Sequence, residues 1–470
     1  MSPKTTDFDI LELAPLIRDR AVSSAAATAA QLERIAALDG RLHSYARLMA
    51  DAAMVQSESA DAEIAAGRYR GPLHGVPVAV KDLFWTQGVP TAAGMSIHRD
   101  FRPPQDATVV ARLTRAGAVL LGKLQMTEGA YSDHHPTVTP PVNPWDPRAW
   151  TGISSSGPGV AVAAGLCHGA LASDTGGSIR WPSAANGVTG LKPSWGRVSR
   201  HGTFELAASL DHVGPIARSA ADCAVLLQAI AGPDPKDPTA RPDPTQDYLA
   251  EGRRGVRGLR VGIDAAWNGE GVDAVVVAAL SEAVAVFRGL GCEIVEARAP
   301  DVAAAVADWP DNCAVEAAVA HTETYPARRE DYGEVLAAVI EAGRALGGLA
   351  YQRILLRRAE LKGRFATLLA SVDVLLTPAH PFAPLTLGTI RTLGDQPGLI
   401  AGLQRYTCPF NMTGHPTLSL PAGFSADGLP IGLQLAARDL GEDRLLRMGM
   451  AYQSATTWHR RRPALEGAQG

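Results

Sequence analysis

The chain lacks the marks of several common protein classes. Its 470 residues hold five cysteines, Cys167, Cys223, Cys292, Cys313 and Cys408, with no C-x-x-C pair. An odd, scattered set excludes a complete disulfide framework and points to buried, reduced thiols in a cytoplasmic protein. Basic residues (44) do not outnumber acidic ones (48), the net charge is −4, and no long basic run occurs. That removes the electrostatic footprint expected of a nucleic-acid partner. The cluster His459-Arg460-Arg461-Arg462 reads as a solvated tail. No apolar stretch reaches membrane-span length. The opening MSPKTTDFDILELAPLIRDR carries acidic residues where a secretory leader needs a basic and then an apolar region. The twelve histidines are scattered. His134 and His135 are adjacent but have no third ligand at a recognised spacing, so no metal or other cofactor is expected and a loop or pocket-rim role is. A phosphate-binding G-x-x-x-x-G-K-[ST] loop is missing.

What is present reads as a folded α/β chain. Hydrophobic residues are 46% and charged residues 20%, an ordinary globular balance. The pattern predicts an alanine-rich helix over 23–38, capped by Ser23 or Ser24 and ending near Gly40, with helix continuing over 43–66. Val76 to Val80, bounded by Lys81-Asp82, is an apolar run of buried-strand type. An amphipathic helix over 107–117 and a strand AVLLGK follow. Strand, helix and strand in that order suggest a βαβ unit and a largely parallel sheet. Residues 132–159 are loop-like before VAVAAGL resumes a helix; loops this long inside a domain are usually functional. A helix over 219–231 and a surface connection over 232–244 come next. The rest predicts strand LRVGID, a helix over 272–290, strand CEIVEA, mostly helix over 314–370, and strands VDVLLTP and PIGLQLAA.

Three segments carry candidate chemistry. The first is Lys81 at the end of its apolar run. Burial disfavours the charged form of a lysine, and the neutral amine can act as a base; an ordinary pairing with Asp82 is the plainer reading. The second is GISSSGPG, residues 152–159, either a flexible turn or a serine placed between a base and a nucleophile. The third is ASDTGGSIRWP, residues 172–182. Gly-Gly makes turns without steric cost, but successive N–H groups of a glycine loop also form an anion-binding nest. Beside such a nest, Ser178 could attack a carbonyl whose oxyanion the nest holds. A serine–histidine–aspartate site would need a G-x-S-x-G elbow, and Ser178 lacks the trailing glycine.

Taken together, the sequence resembles the amidase signature family of serine hydrolases across nearly its whole length. The resemblance centres on GISSSGPGVAVAAGLCHGALASDTGGSIRWPSAANGVTGLKPSWGRVSRHG. GVPVAVKDLF, DATVVARLTRAGAVLLGK, SLDHVGPIARSAADCAVLLQAIAG, DVLLTP and GLPIGLQL carry it further. It implies one amidase domain over 1–470, with an N-terminal helical segment (1–66), a signature core (67–231) and a second α/β part (245–470) whose region around 300–370 varies with substrate. The implied fold is α/β, a mixed, mostly parallel central sheet covered by helices on both faces. The resemblance places the family's lysine on Lys81, its bridging serine, preceded by a cis peptide bond, on Ser154, and its nucleophile on Ser178. Its oxyanion hole falls on the backbone of Thr175, Gly176, Gly177 and Ser178. Supporting roles fall on Ser155, Asp174 and Arg180. Two departures, Ile153 in place of a second glycine and Pro158 in place of a small polar residue, remove no catalytic group.

The implied reaction is hydrolysis of an amide through an acyl-enzyme on Ser178, without a cofactor. Substrate contacts are expected from Glu128, Gly129 and Tyr131 on the acyl side, and walls from the loop His134–Trp150 and from Trp309 with the segment 305–335. The run HHPTVTPPVNPWDPRAWTGISSSGPG is similar to that of bacterial acylamidases and urethanases, implying anilides, aryl amides and carbamates as substrates. The same motifs occur in the glutaminase component of a tRNA-dependent amidotransferase, which would need partner subunits. A catalytically silent binding protein is a further alternative, against which the intact Lys81, Ser154 and Ser178 argue. A homodimer is compatible with the resemblance.

Overall fold

The computed structural model describes residues 4–465. Its centre is one sheet of eleven strands: β1 (Tyr45–Leu48), β2 (Pro77–Lys81), β3 (Val119–Leu124), β4 (Gly169–Asp174), β5 (Thr189–Lys192), β6 (His212–Ala217), β7 (Arg260–Ile263), β8 (Glu293–Glu296), β9 (Val374–Pro378), β10 (Thr417–Phe424) and β11 (Pro430–Ala436). Their spatial order is β1-β3-β2-β4-β6-β5-β10-β11-β9-β7-β8. The central strands are apolar along their length because helices cover both faces, so neither set of alternating side chains meets water. In β2, β3, β4, β5, β6 and β9 every residue is buried.

The α/β class and mixed sheet match expectation, and the parallel majority does not. Four strand pairs are parallel: β2 with β3 and β4, and β7 with β8 and β9. The other six are antiparallel. The strand–helix–strand units recognised in the sequence are real, but they sit towards the two ends of the sheet. The antiparallel middle is built from connections that carry no such signature.

Local departures have local causes. Ser23 caps its helix by accepting from the Ala26 N–H, and that helix (Ser24–Leu42) runs past Gly40 to His43, which takes the left-handed conformation. Residues 43–66 are not one helix: β1 intervenes, pairs antiparallel with β3, and the helix Ala50–Ala65 follows. Serine and alanine around this short strand hide its signal. The cluster at 459–462 is not a solvated tail. His459 is buried, Arg460 and Arg462 reach Glu12 and Asp9, and Arg461 lies over the Phe424 ring. Among the described residues no helix is long and apolar enough to cross a membrane.

One early helix start matters for the site. Helix begins at Ser156 rather than Val160, inside the expected loop. Pro158 lies in its first turn, where a missing N–H costs nothing. Gly157 lies so close to the chain leaving β3 that a Cβ there would come within 2.4 Å of the Gln125 carbonyl oxygen, and its N–H donates to that oxygen at 3.0 Å.

Candidate active site

Three chain segments meet where β2 and β4 end. β2 delivers Lys81, the turn ahead of the helix Ser156–Ala163 delivers Ser154, and the loop after β4 delivers Ser178. The parallel β2–β4 pairing, Ala79 beside Ala170 and Val80 beside Leu171, brings these segments together across some ninety residues of sequence.

Lys81 has no solvent exposure. Its Nζ donates to Ser154 Oγ at 2.6 Å and to Ser173 Oγ at 2.9 Å. Burial lowers its pKa to about 7, against the opposing pull of the Asp211 and Asp174 carboxylates. Among the described residues no carboxylate is bonded to it directly. Ser154 is also fully buried and follows a cis peptide bond from Ile153. Ser155 Oγ donates to the Ser173 carbonyl at 3.1 Å and so ties the serine turn to β4.

The loop that presents Ser178 is wound around Asp174. Its carboxylate accepts from the N–H groups of Gly177 (2.9 Å) and Ile179 (2.9 Å) and pairs with Arg180 through Nε (3.0 Å) and Nη2 (2.8 Å). Burial alone would raise its pKa, but Arg180, Lys192 and Asn411 together hold it below the usual carboxylate range. Arg180, without solvent exposure, also donates to Thr407 O, Gln434 Oε1 and Asn411 Oδ1. The Asp174–Arg180 pair is thus hydrogen-bonded on both sides, the condition under which buried charge is tolerated. Gly177 is therefore not a free oxyanion donor: its N–H is committed to Asp174. Among the described residues the N–H groups of Thr175, Gly176 and Ser178 have no protein partner. The glycines are dictated by neighbours: a Cβ on Gly176 would come within 2.4 Å of the Trp309 ring, and Gly177 has φ +144° against Trp181.

Several groups here carry no signal in the short motifs. Asp211 accepts from Thr175 Oγ1 at 2.6 Å and from the N–H groups of Leu206 and Ala207; burial pushes its carboxyl up to about 6. The Trp309 indole N–H donates to the Thr175 carbonyl at 2.9 Å. Asn411 and Gln434 fix Arg180, and Ser173 meets Lys81. Of these, Ser173 falls inside the segment ASDTGGSIRWP and Trp309 is expected as a cavity wall, but neither bond is written in the local sequence.

Ser178 opens onto a cavity of about 560 Å³. Buried Trp150, Trp181, Trp309, Leu206 and Leu403, with half-buried Ile153, make its apolar floor. Exposed Asp133, Glu334 and Arg391 stand among its lining residues at the mouth. Of the turn Glu128-Gly129-Ala130-Tyr131, expected on the acyl side, Ala130 and Tyr131 line it and Glu128 and Gly129 do not. Glu128 turns away, both carboxylate oxygens accepting from the Gly333 N–H at 3.0 and 3.1 Å. Gly129 (φ +54°) packs against Leu336. The two brace the wall by joining their turn to the start of the helix Glu334–Ala345, whose first residues the cavity needs. From the loop 134–150 only Trp150 reaches the cavity. His134 contacts Ser156 Oγ and His135 contacts Thr137 Oγ1.

The model of the family described as Amidase matches residues 26–446 of this chain. A Mycobacterium tuberculosis protein described as "Putative amidase AmiD" is 50% identical over 457 residues, covering 97% of this chain and 96% of that protein. A glutamyl-tRNA(Gln) amidotransferase subunit from Moorella thermoacetica is 39% identical over 479 residues, covering 97% of this chain and 98% of that one. Among solved structures, the native peptide amidase from Stenotrophomonas maltophilia superposes with a TM-score of 0.83 at 30% identity, covering 97% of this chain and 98% of that chain.

Proposed function

Because the chain belongs to the amidase family, we propose that it is a stand-alone serine hydrolase of uncharged amides, with Ser178 as nucleophile, Ser154 as proton bridge and Lys81 as base. The observation that carries this reading is the Lys81 amine. It is buried, bonded to hydroxyls rather than to a carboxylate, and titrates at about 7. Such an amine is substantially neutral at physiological pH, as a base must be.

The chemistry follows from these groups. Ser178 Oγ attacks the carbonyl carbon. Its proton passes to Ser154 Oγ while Ser154 gives its own to the Lys81 amine. The N–H groups of Gly176 and Ser178 receive the oxyanion. On collapse the C–N bond breaks, and the Lys81 ammonium returns the proton through Ser154 to the departing nitrogen, which would otherwise leave poorly. Water then attacks the Ser178 ester and gives its proton to the same relay. The carboxylic acid departs and Ser178 regains its proton.

The indole-rich floor suits an aryl or bulky apolar group beside the scissile bond, which supports anilides, aryl amides and aryl carbamates as substrates. Five buried, unpaired cysteines fit a reducing compartment such as the cytoplasm. Likeness to a component of an amidotransferase makes glutamine the second substrate to offer. The test is hydrolysis of a p-nitroanilide, a matched aryl carbamate and glutamine by the purified chain and by Ser178→Ala. Turnover of either aryl substrate, lost in the variant, is expected. Ammonia release from glutamine alone, or only with partner subunits, would overturn the stand-alone reading.

A further inference from the structure

Ser173 is assigned nothing in the relay described above, yet its hydroxyl is the second partner of the Lys81 amine. It is buried near the end of β4, its Oγ lies 2.9 Å from Nζ, and its carbonyl accepts from Ser155. A neutral amine has two hydrogens and one lone pair. If the lone pair is to receive the proton of Ser154, the hydrogens must be held elsewhere. Among the described residues Ser173 Oγ is the one other side-chain acceptor bonded to Nζ. The ammonium donates to both hydroxyls; once the amine is neutral the Ser154 contact must reverse, with Ser154 donating, since an amine still donating to Ser154 would leave the lone pair pointing away from the relay.

We propose that Ser173 is a positioning residue for proton transfer: its Oγ accepts an N–H of Lys81, turns the amine lone pair towards Ser154, and remains as an acceptor when the ammonium forms. This inference rests on Lys81 being the base. At the end of β4 two adjacent residues serve the two halves of the site: Asp174 organises the nucleophile loop and Ser173 reaches Lys81. The charged groups acting on Lys81 are the Asp211 and Asp174 carboxylates. Asp211 is bonded to Thr175 and Asp174 to Arg180. On the neighbouring strand β3, Lys123 is bonded to Asp82. None of these carboxylates can replace the Ser173 hydroxyl at bonding distance. Losing Ser173 therefore misorients the amine and also withdraws an acceptor from the ammonium, which lowers its pKa.

The test reads the relay without knowledge of the natural substrate. A fluorophosphonate reacts with an activated serine: the P–F bond breaks, a P–O bond to Ser178 forms, fluoride leaves and the serine proton enters the relay. Its second-order rate of labelling at Ser178, followed by mass spectrometry across pH 5 to 10, is measured for wild type, Ser173→Ala, Ser173→Thr and Lys81→Met. Ser173→Ala is expected to label about tenfold more slowly at its plateau. Its midpoint is expected to fall by about half a pH unit, and Ser173→Thr to restore both. A merely structural loss would scale the rate without moving the midpoint. An unchanged rate and midpoint in folded Ser173→Ala overturns the assignment. Should that variant fail to fold, Ser173→Cys, a poorer acceptor of similar size, is held to the same two outcomes. Lys81→Met labelling as fast as wild type would instead overturn the reading of Lys81 as base.

Discussion

Lys81, ending β2, and Lys123, on the neighbouring parallel strand β3, are both without solvent exposure. The register sets Val80 beside Lys123 and Lys81 beside Leu124, so the two side chains leave opposite faces of the sheet. Lys123 meets the Asp82 carboxylate at 3.1 Å and Thr91 Oγ1 at 2.9 Å. Among the described residues the side-chain partners of Lys81 are hydroxyls alone. Burial lowers the pKa of both amines, and at Lys123 the bonded carboxylate pulls back towards the charged form. A buried ammonium with its own counter-ion holds structure together. A buried amine bonded to hydroxyls is the kind of group the proposed mechanism needs as its base. Burial alone does not set a lysine's protonation state; the chemistry of its bonded partners sets it too.

Substitutions at the two lysines break this comparison most sharply. Lys81→Met and Ser178→Ala should each cost roughly 10⁴-fold or more in kcat. Lys123→Met should leave most turnover per folded molecule intact. Stability should run the other way. Removing Lys123 strands the Asp82 carboxylate and should cost about 3–5 kcal/mol in denaturant unfolding, while Lys81→Met strands no charge. Abolished turnover in a folded Lys123→Met enzyme would erase the distinction.

A pH titration sharpens the same contrast. kcat/KM should rise with pH through a single ionisation near 7, as Lys81 loses its proton. The linkage to folding has a definite sign. The folded pKa lies below the unfolded one, so the unfolded chain binds the extra proton and this group favours folding more as pH rises. The stability advantage of Lys81→Met over wild type should therefore be largest below pH 7 and shrink towards pH 10.5. An advantage independent of pH would mean that Lys81 is not desolvated as described.

The smallest expected effect lies across the cavity. Trp309→Phe keeps an aromatic face but loses the N–H donated to the Thr175 carbonyl. One hydrogen bond of about 1 kcal/mol corresponds to roughly a fivefold loss, which should fall on kcat rather than KM because the bond holds the oxyanion loop. A change confined to KM would make Trp309 a substrate wall only.

The residues proposed for the chemistry stood out in the sequence because each sits in a segment whose composition is tightly constrained. GVPVAVK is a buried strand ending in an unexpected charge, and DTGGSIR needs glycines where Trp309 and Trp181 press on the loop. The strand–helix–strand units were legible from their changes of period. The antiparallel middle of the sheet was not, because a parallel and an antiparallel neighbour ask the same apolar run of a fully covered strand. Glu128 and Gly129 were misplaced for a similar reason: a turn near a cavity can face the cavity or its outer wall, and spacing does not distinguish the two. Asn411 and Gln434 lie more than two hundred residues from Arg180, and no local pattern joins them.

The sequence by itself determined the α/β class, the serine- and glycine-rich loop, and which lysine and which serines were candidates for chemistry, since periodicity and glycine demand are properties of neighbouring residues. Only the tertiary structure decided which N–H groups stay free for an oxyanion, which hydroxyls surround Lys81, and that Lys123 carries a counter-ion where Lys81 does not. Those are facts about partners brought together from distant strands, and the pKa of a buried group is set by its partners and its desolvation, not by its place in the chain.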